Sequence, residues 1–293
     1  MTEYYFPTSI EEALQCLEQY KGEARVIAGG TDVMADLRKG KIAPRCLVDI
    51  TRVPGLDQIR VGDRTVEIGA AVTFADIKDA AFVNQRVHAL ADAARSVGAI
   101  GIQTAATWVG NIVQAMPAAD GAIIALALEA QARVVDGHGA QWHAVESLFG
   151  GPGLSAVDPT RQLVTHVRFP FPGSGTSGGW GTAWQRVGRR PSLVLPILNC
   201  AVTLRLENGR IAHATIALGP VAPRPFRARE AESFLLGQLP TTERFEQAAH
   251  IVQRESNPRS SVKRASREYR LAIIPTLVSD ALGTAAERAE VKT

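Results

Sequence analysis

A pair of adjacent glycines near the amino end, placed between a short strand and a helix, most constrains what this chain can fold into. Residues 25–28 predict a buried strand, and Gly-Gly-Thr-Asp at positions 29–32 leads into a helix that reaches about Lys39. Adjacent glycines let backbone N–H groups approach a ligand, and a helix start adds unpaired N–H groups and a positive dipole end. The turn can therefore cradle a pyrophosphate, or it can be a plain connection. Its spacing is neither that of a Rossmann fingerprint nor that of a P-loop.

A second glycine turn comes later in the chain and leaves the same two interpretations open. The sequence Thr-Trp-Val-Gly-Asn occupies positions 107–111, and Asp120 stands before a helix predicted to end near Leu128. A Gly-Asn pair in a loop can present amide groups to an anion or to the edge of a ring. Asp120 can contact a ligand, or it can be only the N-cap of its helix.

The charge pattern argues against a nucleic-acid partner. The formal net charge is only +3, and the basic residues stand in short groups beside apolar residues. Nucleic-acid-binding proteins instead concentrate positive charge on one face. The pair Arg189 and Arg190 is expected to be a solvated or interface charge group, with contact to a cofactor or to a partner subunit as the alternative.

The cysteines are few and isolated. Cys16, Cys46 and Cys200 lie outside any CxxC motif and have no histidine at ligand spacing, which predicts neither a metal site nor an iron–sulfur cluster within the chain. An odd number of cysteines and no visible signal peptide favour a reducing, cytoplasmic location. The longest apolar run, Ala122–Leu128, is too short to span a membrane.

The predicted elements divide the chain into three segments. The boundaries fall near residues 53–55, which read Val-Pro-Gly, and in the glycine-rich run at 173–181. The first segment reads as β–α–β, with Ser9 and Glu12 as a predicted capping box at its first helix. The predicted segments are residues 1–55, 56–172 and 173–293.

Hairpins and long helices characterise the second and third segments. Gly62-Asp63 and Asn208-Gly209 predict two β-hairpin turns. One helix is predicted over Asn84–Val97, and a last helix over Arg267–Leu282, where Pro275 is expected to kink or cut it. This mixture of hairpins and helices predicts an α+β fold.

Five ordered stretches of the sequence identify a family. They are Val26–Asp32, then Thr107–Asn111 with Ala115, Pro117 and Asp120 after it, then Trp184–Arg190, Ile216–Pro225 and Ser266–Arg270. With these stretches at these spacings, the chain resembles the FAD-binding medium subunit of molybdenum-containing hydroxylases. This is the type found in carbon monoxide dehydrogenase, quinoline oxidoreductase and nicotine dehydrogenase, and it forms the middle of xanthine dehydrogenase. The resemblance covers nearly the whole chain.

The resemblance implies a two-subdomain FAD-binding fold of the vanillyl-alcohol-oxidase-like type, followed by a C-terminal sheet-and-helix domain. It also implies that the two glycine turns hold the FAD pyrophosphate from opposite sides, with the second turn reaching the ribityl region. The first turn contributes Ala28, Gly29, Gly30, Thr31 and Asp32. The second turn contributes Thr107, Gly110, Asn111 and Val113.

The resemblance assigns the rest of the cofactor site as well. Arg25, Ile27 and Val164 would line the adenosine end of FAD. Asp120 would bond to the far part of the cofactor, and Gln185 would lie near the flavin ring, where the family often has a lysine or a tyrosine. No catalytic residue and no metal ligand is implied for this chain.

The sequence departs from the family pattern at the second turn. Val109 stands where the family commonly has a glycine, and a valine would be strained there if the position required a positive φ. Residues 101–104 read Gly-Ile-Gln-Thr instead of Gln-Ile-Arg-Asn, so an arginine is lost. Both changes are expected to affect FAD affinity more than the fold. The cysteine-rich insertion that carries an accessory cluster in one class of members is absent.

The resemblance implies an electron-transfer function. A large molybdopterin-binding subunit would hydroxylate the substrate, a small [2Fe–2S] subunit would relay the electrons, and FAD in this chain would pass them to NAD⁺, a quinone or another external acceptor. The expected assembly is a dimer of heterotrimers. Two alternatives remain: a stand-alone FAD oxidoreductase, and a scaffold subunit that has lost FAD.

Overall fold

The computed structural model describes residues 2–171, 178–190 and 193–290. The amino-terminal part is a three-stranded parallel sheet in the order β1-β3-β2. Its strands are β1 (Glu3–Tyr5), β2 (Ala24–Ile27) and β3 (Cys46–Asp49), and its helices are α1 (Ile10–Gln19) and α2 (Val33–Arg38). The predicted β–α–β start is therefore confirmed.

The caps of these two helices differ from the prediction. Ser9 Oγ accepts the N–H of Glu12 at 3.1 Å, but the Glu12 carboxylate accepts from the backbone N–H of Thr8 at 2.7 Å and not from Ser9. The predicted capping box is thus only half formed, because the Thr8 amide and hydroxyl both reach the carboxylate. Asp32 precedes α2 but makes no capping hydrogen bond with its side chain.

A five-stranded antiparallel sheet forms the second part of the molecule. Its order is β4-β5-β10-β6-β7. The strands are β4 (Ile59–Val61), β5 (Thr65–Gly69), β6 (Gln131–Asp136), β7 (Gly139–Ala144) and β10 (Leu163–Pro170), and a short hairpin of β8 (Phe149–Gly151) and β9 (Leu154–Ser155) lies between β7 and β10. The β4–β5 pairing confirms the hairpin predicted at Gly62-Asp63.

Six helices connect β5 to β6. They are α3 (Phe74–Asp79), α4 (Ala81–Arg86), α5 (His88–Ser96), α6 (Ile100–Gln103), α7 (Trp108–Val113) and α8 (Asp120–Ala127). The prediction of one helix over Asn84–Val97 is wrong, because the chain leaves helical geometry at Val87, where φ is −125° and ψ is 56°. Val87 is fully buried and is the one residue between α4 and α5.

The C-terminal part is a four-stranded antiparallel sheet covered by helices. Its order is β11-β12-β13-β14. The elements are β11 (Gly179–Val187), β12 (Leu198–Glu207), β13 (Arg210–Gly219), β14 (Phe226–Arg227), α9 (Arg229–Leu235), α10 (Thr242–Glu255) and α11 (Arg267–Glu290). The β12–β13 pairing confirms the hairpin predicted at Asn208-Gly209.

Pro275 does not cut the last helix, and part of the predicted glycine-rich link is strand. Helix α11 continues through Pro275 to Glu290, because its buried face packs along β11 and β12. Residues 173–177 of the predicted glycine-rich link, and the boundary at 172/173, lie outside the described residues, but Gly179 and Gly181 belong to β11. A Cβ at either position would overlap a carbonyl oxygen of α11, so these glycines allow the helix to lie close against the strand.

Helix α8 joins the two halves of the molecule. It is buried along its whole length and packs against α5 and α7 on one side and against β12 and β13 on the other. A helix that is apolar all round is typical of such a central position. No helix within the described ranges is long and apolar enough to cross a membrane.

Candidate functional site

A cleft of about 350 Å³ opens between the amino-terminal sheet and the helices that follow β5. Both glycine turns line it, together with Ile50, Ala70 and the segment from Gly153 to Val164. The structure thus brings the two turns together across one cavity. The sequence-predicted site residues in its lining are Arg25, Ile27, Ala28, Gly29, Gly30, Thr31, Asp32, Thr107, Gly110, Asn111, Val113 and Val164.

The first turn touches the second wall of the cleft directly. Gly30 has a φ of +68°, a value that L side chains rarely adopt. A Cβ at Gly29 would overlap the backbone carbonyl oxygen of Ala105, so only glycine allows the turn to pass so close to the opposite wall. The two glycines thereby present backbone, and no side chain, to this end of the cavity.

The second wall is the start of α7. Thr107 is buried, and its Oγ1 accepts the N–H of Gly110 at 3.1 Å, which caps the helix. Asn111 lines the cleft, and its Oδ1 accepts the N–H of Gly121 at 2.9 Å. The first bond caps α7, and the second fixes α7 against α8, so that the first turn of α7 lines the cleft.

Val109 causes no backbone strain. It lies within α7, its φ is not positive, and it is 3% exposed. The expectation that valine would be strained at this position is therefore wrong, because the position is helical and a helix accepts valine. The left-handed residue of this segment is Ala115, with a φ of +52°, which turns the chain after α7.

The segment that lacks the family's arginine is held by Gln103. This side chain is buried, and its Nε2 donates to the carbonyl oxygens of Arg95 and Val97, both at 3.0 Å. The glutamine therefore fixes the chain between α5 and α6 without the arginine.

Asp120 and Gln185 are not brought into the cleft. The Asp120 carboxylate turns toward the C-terminal sheet, where Oδ1 accepts from Asn199 Nδ2 at 2.6 Å and Oδ2 lies 3.5 Å from Arg186 Nε. Burial raises the pKa of Asp120 to about 6, while Arg186 and Asn199 act in the opposite direction. Gln185 lies on β11, paired with Cys200 of β12. The structure therefore gives no support to direct contacts of these two side chains with a cofactor in the cleft.

Sequence reasoning missed the third wall. The segment after β8 reaches the cleft through Leu154, Ser155 and Gln162, and the carbonyl oxygen of Pro159 accepts the N–H of Val26 on β2 at 3.2 Å. The N–H of Gly153 donates to the carbonyl oxygen of Ala115 at 3.0 Å. The glycines at positions 150, 151 and 153 were the signal available for this wall, but they belong to no known motif.

The polar groups in the cleft favour an anion. Nε of Arg25 is buried and has no hydrogen-bond partner within the described part of the chain. Burial also raises the pKa of Asp32, with a smaller contribution from Asp36 in the same direction. An unpartnered guanidinium nitrogen, a helix start and a pair of glycines together suit the diphosphate of a dinucleotide cofactor.

Two family models match the chain. One, described as the FAD binding domain in molybdopterin dehydrogenase, matches residues 1–172. The other, described as the carbon monoxide dehydrogenase flavoprotein C-terminal domain, matches residues 183–285.

Characterised proteins and solved structures resemble the whole chain. The putative xanthine dehydrogenase FAD-binding subunit of Escherichia coli K12 is 28% identical over 96% of this chain and 95% of its own length. The carbon monoxide dehydrogenase medium chain of Hydrogenophaga pseudoflava is 29% identical over 97% and 96%. A carbon monoxide dehydrogenase structure from the same organism superimposes with a TM-score of 0.90 at 28% identity, covering 98% of each chain. These matches confirm the predicted α+β FAD-binding fold with its C-terminal domain.

Proposed function

The chain belongs to the family of FAD-binding medium subunits of molybdenum-containing dehydrogenases, and we propose that its FAD carries electrons from the [2Fe–2S] clusters of a partner subunit to an external acceptor. In this family of oxidoreductases, molybdenum and the iron–sulfur clusters lie in other subunits. The observation that carries the proposal is the convergence of both glycine turns on one cleft, where Gly29 lies against Ala105.

Different residues of the cleft are proposed to bind different parts of FAD. The turn at 28–32 would receive the diphosphate through its backbone N–H groups, and the start of α7 would face it from the opposite wall. Arg25, Ile27 and Val164 would line the adenosine end, where the Arg25 guanidinium would find the partner that its Nε lacks. Bound there, FAD supplies the redox chemistry, and the protein positions it and excludes water.

Asp120 is proposed to influence the cleft indirectly, through the position of the start of α8. It begins α8, and the N–H of the next residue, Gly121, donates to Asn111 Oδ1 at 2.9 Å. A Cβ at Gly121 would lie 2.6 Å from the same oxygen, so the contact needs a glycine. Asp120 would therefore help to fix Asn111, which lines the cleft, without touching the cofactor itself.

The composition of the cleft favours electron transfer over an independent oxidase activity. A stand-alone oxidoreductase needs a group that moves a proton to or from its substrate. Among the described residues that line the cleft, Asp32 is the one carboxyl group, and no histidine, tyrosine or cysteine is present. Electron transfer alone requires no such group.

The wider assembly follows the family. We propose a large molybdopterin-binding subunit and a small [2Fe–2S] subunit as partners, joined in a dimer of heterotrimers. The division at residues 55/56 and 172/173 would separate two FAD-binding subdomains from the C-terminal domain. A cytoplasmic location is proposed from the three free cysteines, since a reducing compartment keeps thiols in that state.

The test is a visible absorbance spectrum of the purified chain, followed by chromatography of the cofactor released on heating. One FAD per chain is expected. Gly29→Ala should weaken FAD binding by about tenfold or more, because the new methyl group forces the two walls apart.

Gly101→Ala is the matched control for this substitution. A Cβ at Gly101, on α6, would meet no atom within 4 Å, so this variant should bind FAD like the wild type. A folded chain that stays colourless with added FAD and with both partner subunits bound would refute electron transfer and leave the scaffold function.

A further inference from the structure

A group of basic side chains lies in the loop before α11 and in the first turns of that helix. Arg259, Lys263 and Arg264 come from the loop between α10 and α11, and Arg267 and Arg270 from the first turns of α11. We call these five residues the α11 basic cluster. Neither the cleft nor the proposed electron transfer uses them.

Arg270 is the buried centre of this cluster. Its side chain is 2% exposed, and its Nη1 donates to the carbonyl oxygen of Pro220 at 3.1 Å. Its Nε is buried and has no partner within the described part of the chain. An arginine stays charged in a protein, and a buried charge is costly unless it is paired. Arg270 therefore lacks the anion that its environment requires.

The chain itself does not supply that anion. No carboxylate in the described ranges lies within 4.0 Å of a charged nitrogen of the five residues. The residues outside those ranges include no aspartate or glutamate. Glu268 is exposed, and its pKa is lowered chiefly by bonds to its own backbone N–H and to Ser266, with a smaller contribution from the charge of Arg267. Five positive charges thus lie in this region without an ion pair, and Arg267 alone is near enough to a carboxylate, that of Glu268, to affect its pKa.

The arginines of the cluster are close enough to repel one another. Burial lowers the pKa of Arg270, and the charges of Arg264 and Arg259 lower it further. Burial and the charge of Arg259 likewise lower the pKa of Arg264. An anion bound among the three guanidinium groups would remove this repulsion.

Backbone hydrogen bonds hold the loop in shape. The N–H of Ser261 donates to Ala265 O at 2.9 Å, and the N–H of Arg264 donates to Ser261 O at 3.1 Å. Arg189, at the end of β11, donates from Nη2 to the carbonyl oxygen of Arg264 at 3.0 Å. The N–H of Tyr269 is already bonded to Ser266 Oγ at 3.2 Å, so the arginine side chains, rather than the end of the helix, offer the free donors.

We propose that the α11 basic cluster binds a phosphate group. Guanidinium groups match phosphate oxygens with pairs of N–H donors, and several converging arginines suit an anion of more than one charge better than a single carboxylate. Free phosphate or pyrophosphate offers this chemistry, and so does the diphosphate of a dinucleotide electron acceptor. The second source is attractive because Arg186, three residues before Arg189 on β11, reaches Asp120 at the back of the cleft.

The experiment is calorimetric titration of the full-length, FAD-loaded chain with sodium phosphate, sodium pyrophosphate and NAD⁺ in separate runs, at constant ionic strength set by chloride. The loaded FAD keeps these ligands out of the cleft. Arg264→Gln and Arg259→Gln should each weaken phosphate and pyrophosphate binding by about tenfold, the effect of losing one charged hydrogen bond. Both variants keep Arg270, whose loss could unfold the chain.

The matched control is Arg205→Gln. Arg205 is an exposed arginine on β12 that pairs with Glu207 at 2.7 Å, so its loss removes one positive charge without touching the cluster. Phosphate affinity in this variant should stay within about twofold of the wild type. Loss of NAD⁺ binding in Arg264→Gln would identify a dinucleotide as the source of the phosphate. If phosphate and pyrophosphate bind but NAD⁺ does not, the ligand of the cluster is the free anion.

The proposal is overturned if phosphate and pyrophosphate bind no better than chloride, or if their binding survives both substitutions. It is also overturned if the only effect of Arg264→Gln is the release of an acidic partner subunit, which would make the cluster a protein interface. The outcome does not depend on FAD. If the chain does not load FAD, the same titrations are made on Gly29→Ala with and without Arg264→Gln. Phosphate binding that persists in Gly29→Ala and weakens when Arg264→Gln is added belongs to the cluster and not to the cleft.

Discussion

Asn199 donates a hydrogen bond from Nδ2 to Oδ1 of Asp120 at 2.6 Å, and this bond joins the C-terminal sheet to the start of α8. The other carboxylate oxygen lies 3.5 Å from Nε of Arg186. Despite these two partners, burial raises the pKa of Asp120 to about 6. The junction behind the cleft therefore holds a carboxyl group that binds its proton more tightly in the folded chain than in the unfolded chain.

The first prediction concerns stability against pH. A carboxyl group whose pKa is raised by folding stabilises the folded state below its unfolded pKa, and that contribution is lost as the pH rises through the folded value. The free energy of unfolding should therefore fall by about 2 kcal/mol more in the wild type than in Asp120→Asn between about pH 4 and pH 7. Urea titrations across this range measure the difference.

Asp280→Asn is the control for this substitution. Asp280 is exposed on α11, so the variant removes the same charge without altering the junction. Its pH curve should run parallel to that of the wild type. A parallel curve for Asp120→Asn as well would mean that the junction carboxyl does not titrate in this window.

The second prediction concerns a charged contact at the other end of α8. Glu129 contacts His213 Nε2 at 2.8 Å and Arg227 Nη1 at 3.0 Å, and Arg227 also pairs with Glu232 at 2.8 Å. The contact with His213, and then that with Arg227, lower the pKa of Glu129 to about 2 against the opposing effect of burial. This contribution to stability is present above the unfolded pKa of about 4.5 and is lost as the pH falls toward 2.

Glu129→Gln should therefore lower the free energy of unfolding by about 1–2 kcal/mol at pH 7 and by progressively less below pH 4. The figure is discounted for solvent screening because the Glu129 side chain is 37% exposed. The comparison is Glu207→Gln, which breaks an exposed pair with Arg205 and should change stability by no more than about 0.5 kcal/mol. Equal losses of stability in both variants would show that the Glu129 contact contributes no more than an exposed surface ion pair.

The parts of the fold that local chemistry determines could be predicted from the sequence. Gly29-Gly30 marks a turn because a positive φ and a close approach leave no alternative to glycine. Asn208-Gly209 specifies its hairpin because both residues adopt a positive φ there, 51° and 72°. The family resemblance predicted that the two glycine turns face each other, and the structure shows both turns lining one cavity.

The parts that long-range packing determines could not be predicted. Helix α11 survives Pro275 because contacts with β11 and β12 outweigh the lost hydrogen bond. Asp120 turns away from the cleft because Asn199, from a strand far along the chain, competes for its carboxylate. The wall around Ser155 has no motif, since hydrogen bonds such as that from Val26 to Pro159 place it.

The last prediction concerns Val109, where the family commonly has a glycine. The residue is buried in α7 with helical geometry, so the valine side chain contributes packing and helix stability that a glycine lacks. Val109→Gly should lower the free energy of unfolding by about 3 kcal/mol through the cavity and the helix penalty together. It should not increase FAD affinity, because Val109 has no positive φ and therefore no backbone strain that a glycine would relieve.

Val252→Gly is the control that separates a general loss of stability from a change in FAD affinity. Val252 is fully buried in α10, far along the chain from the residues that line the cleft, so this variant carries the same helix and packing penalty. Chemical unfolding gives the stability of both variants, and quenching of flavin fluorescence gives their FAD affinity. The structural interpretation requires similar stability losses in the two variants. Tighter FAD binding by about tenfold in Val109→Gly alone would show instead that the valine impairs the cofactor site.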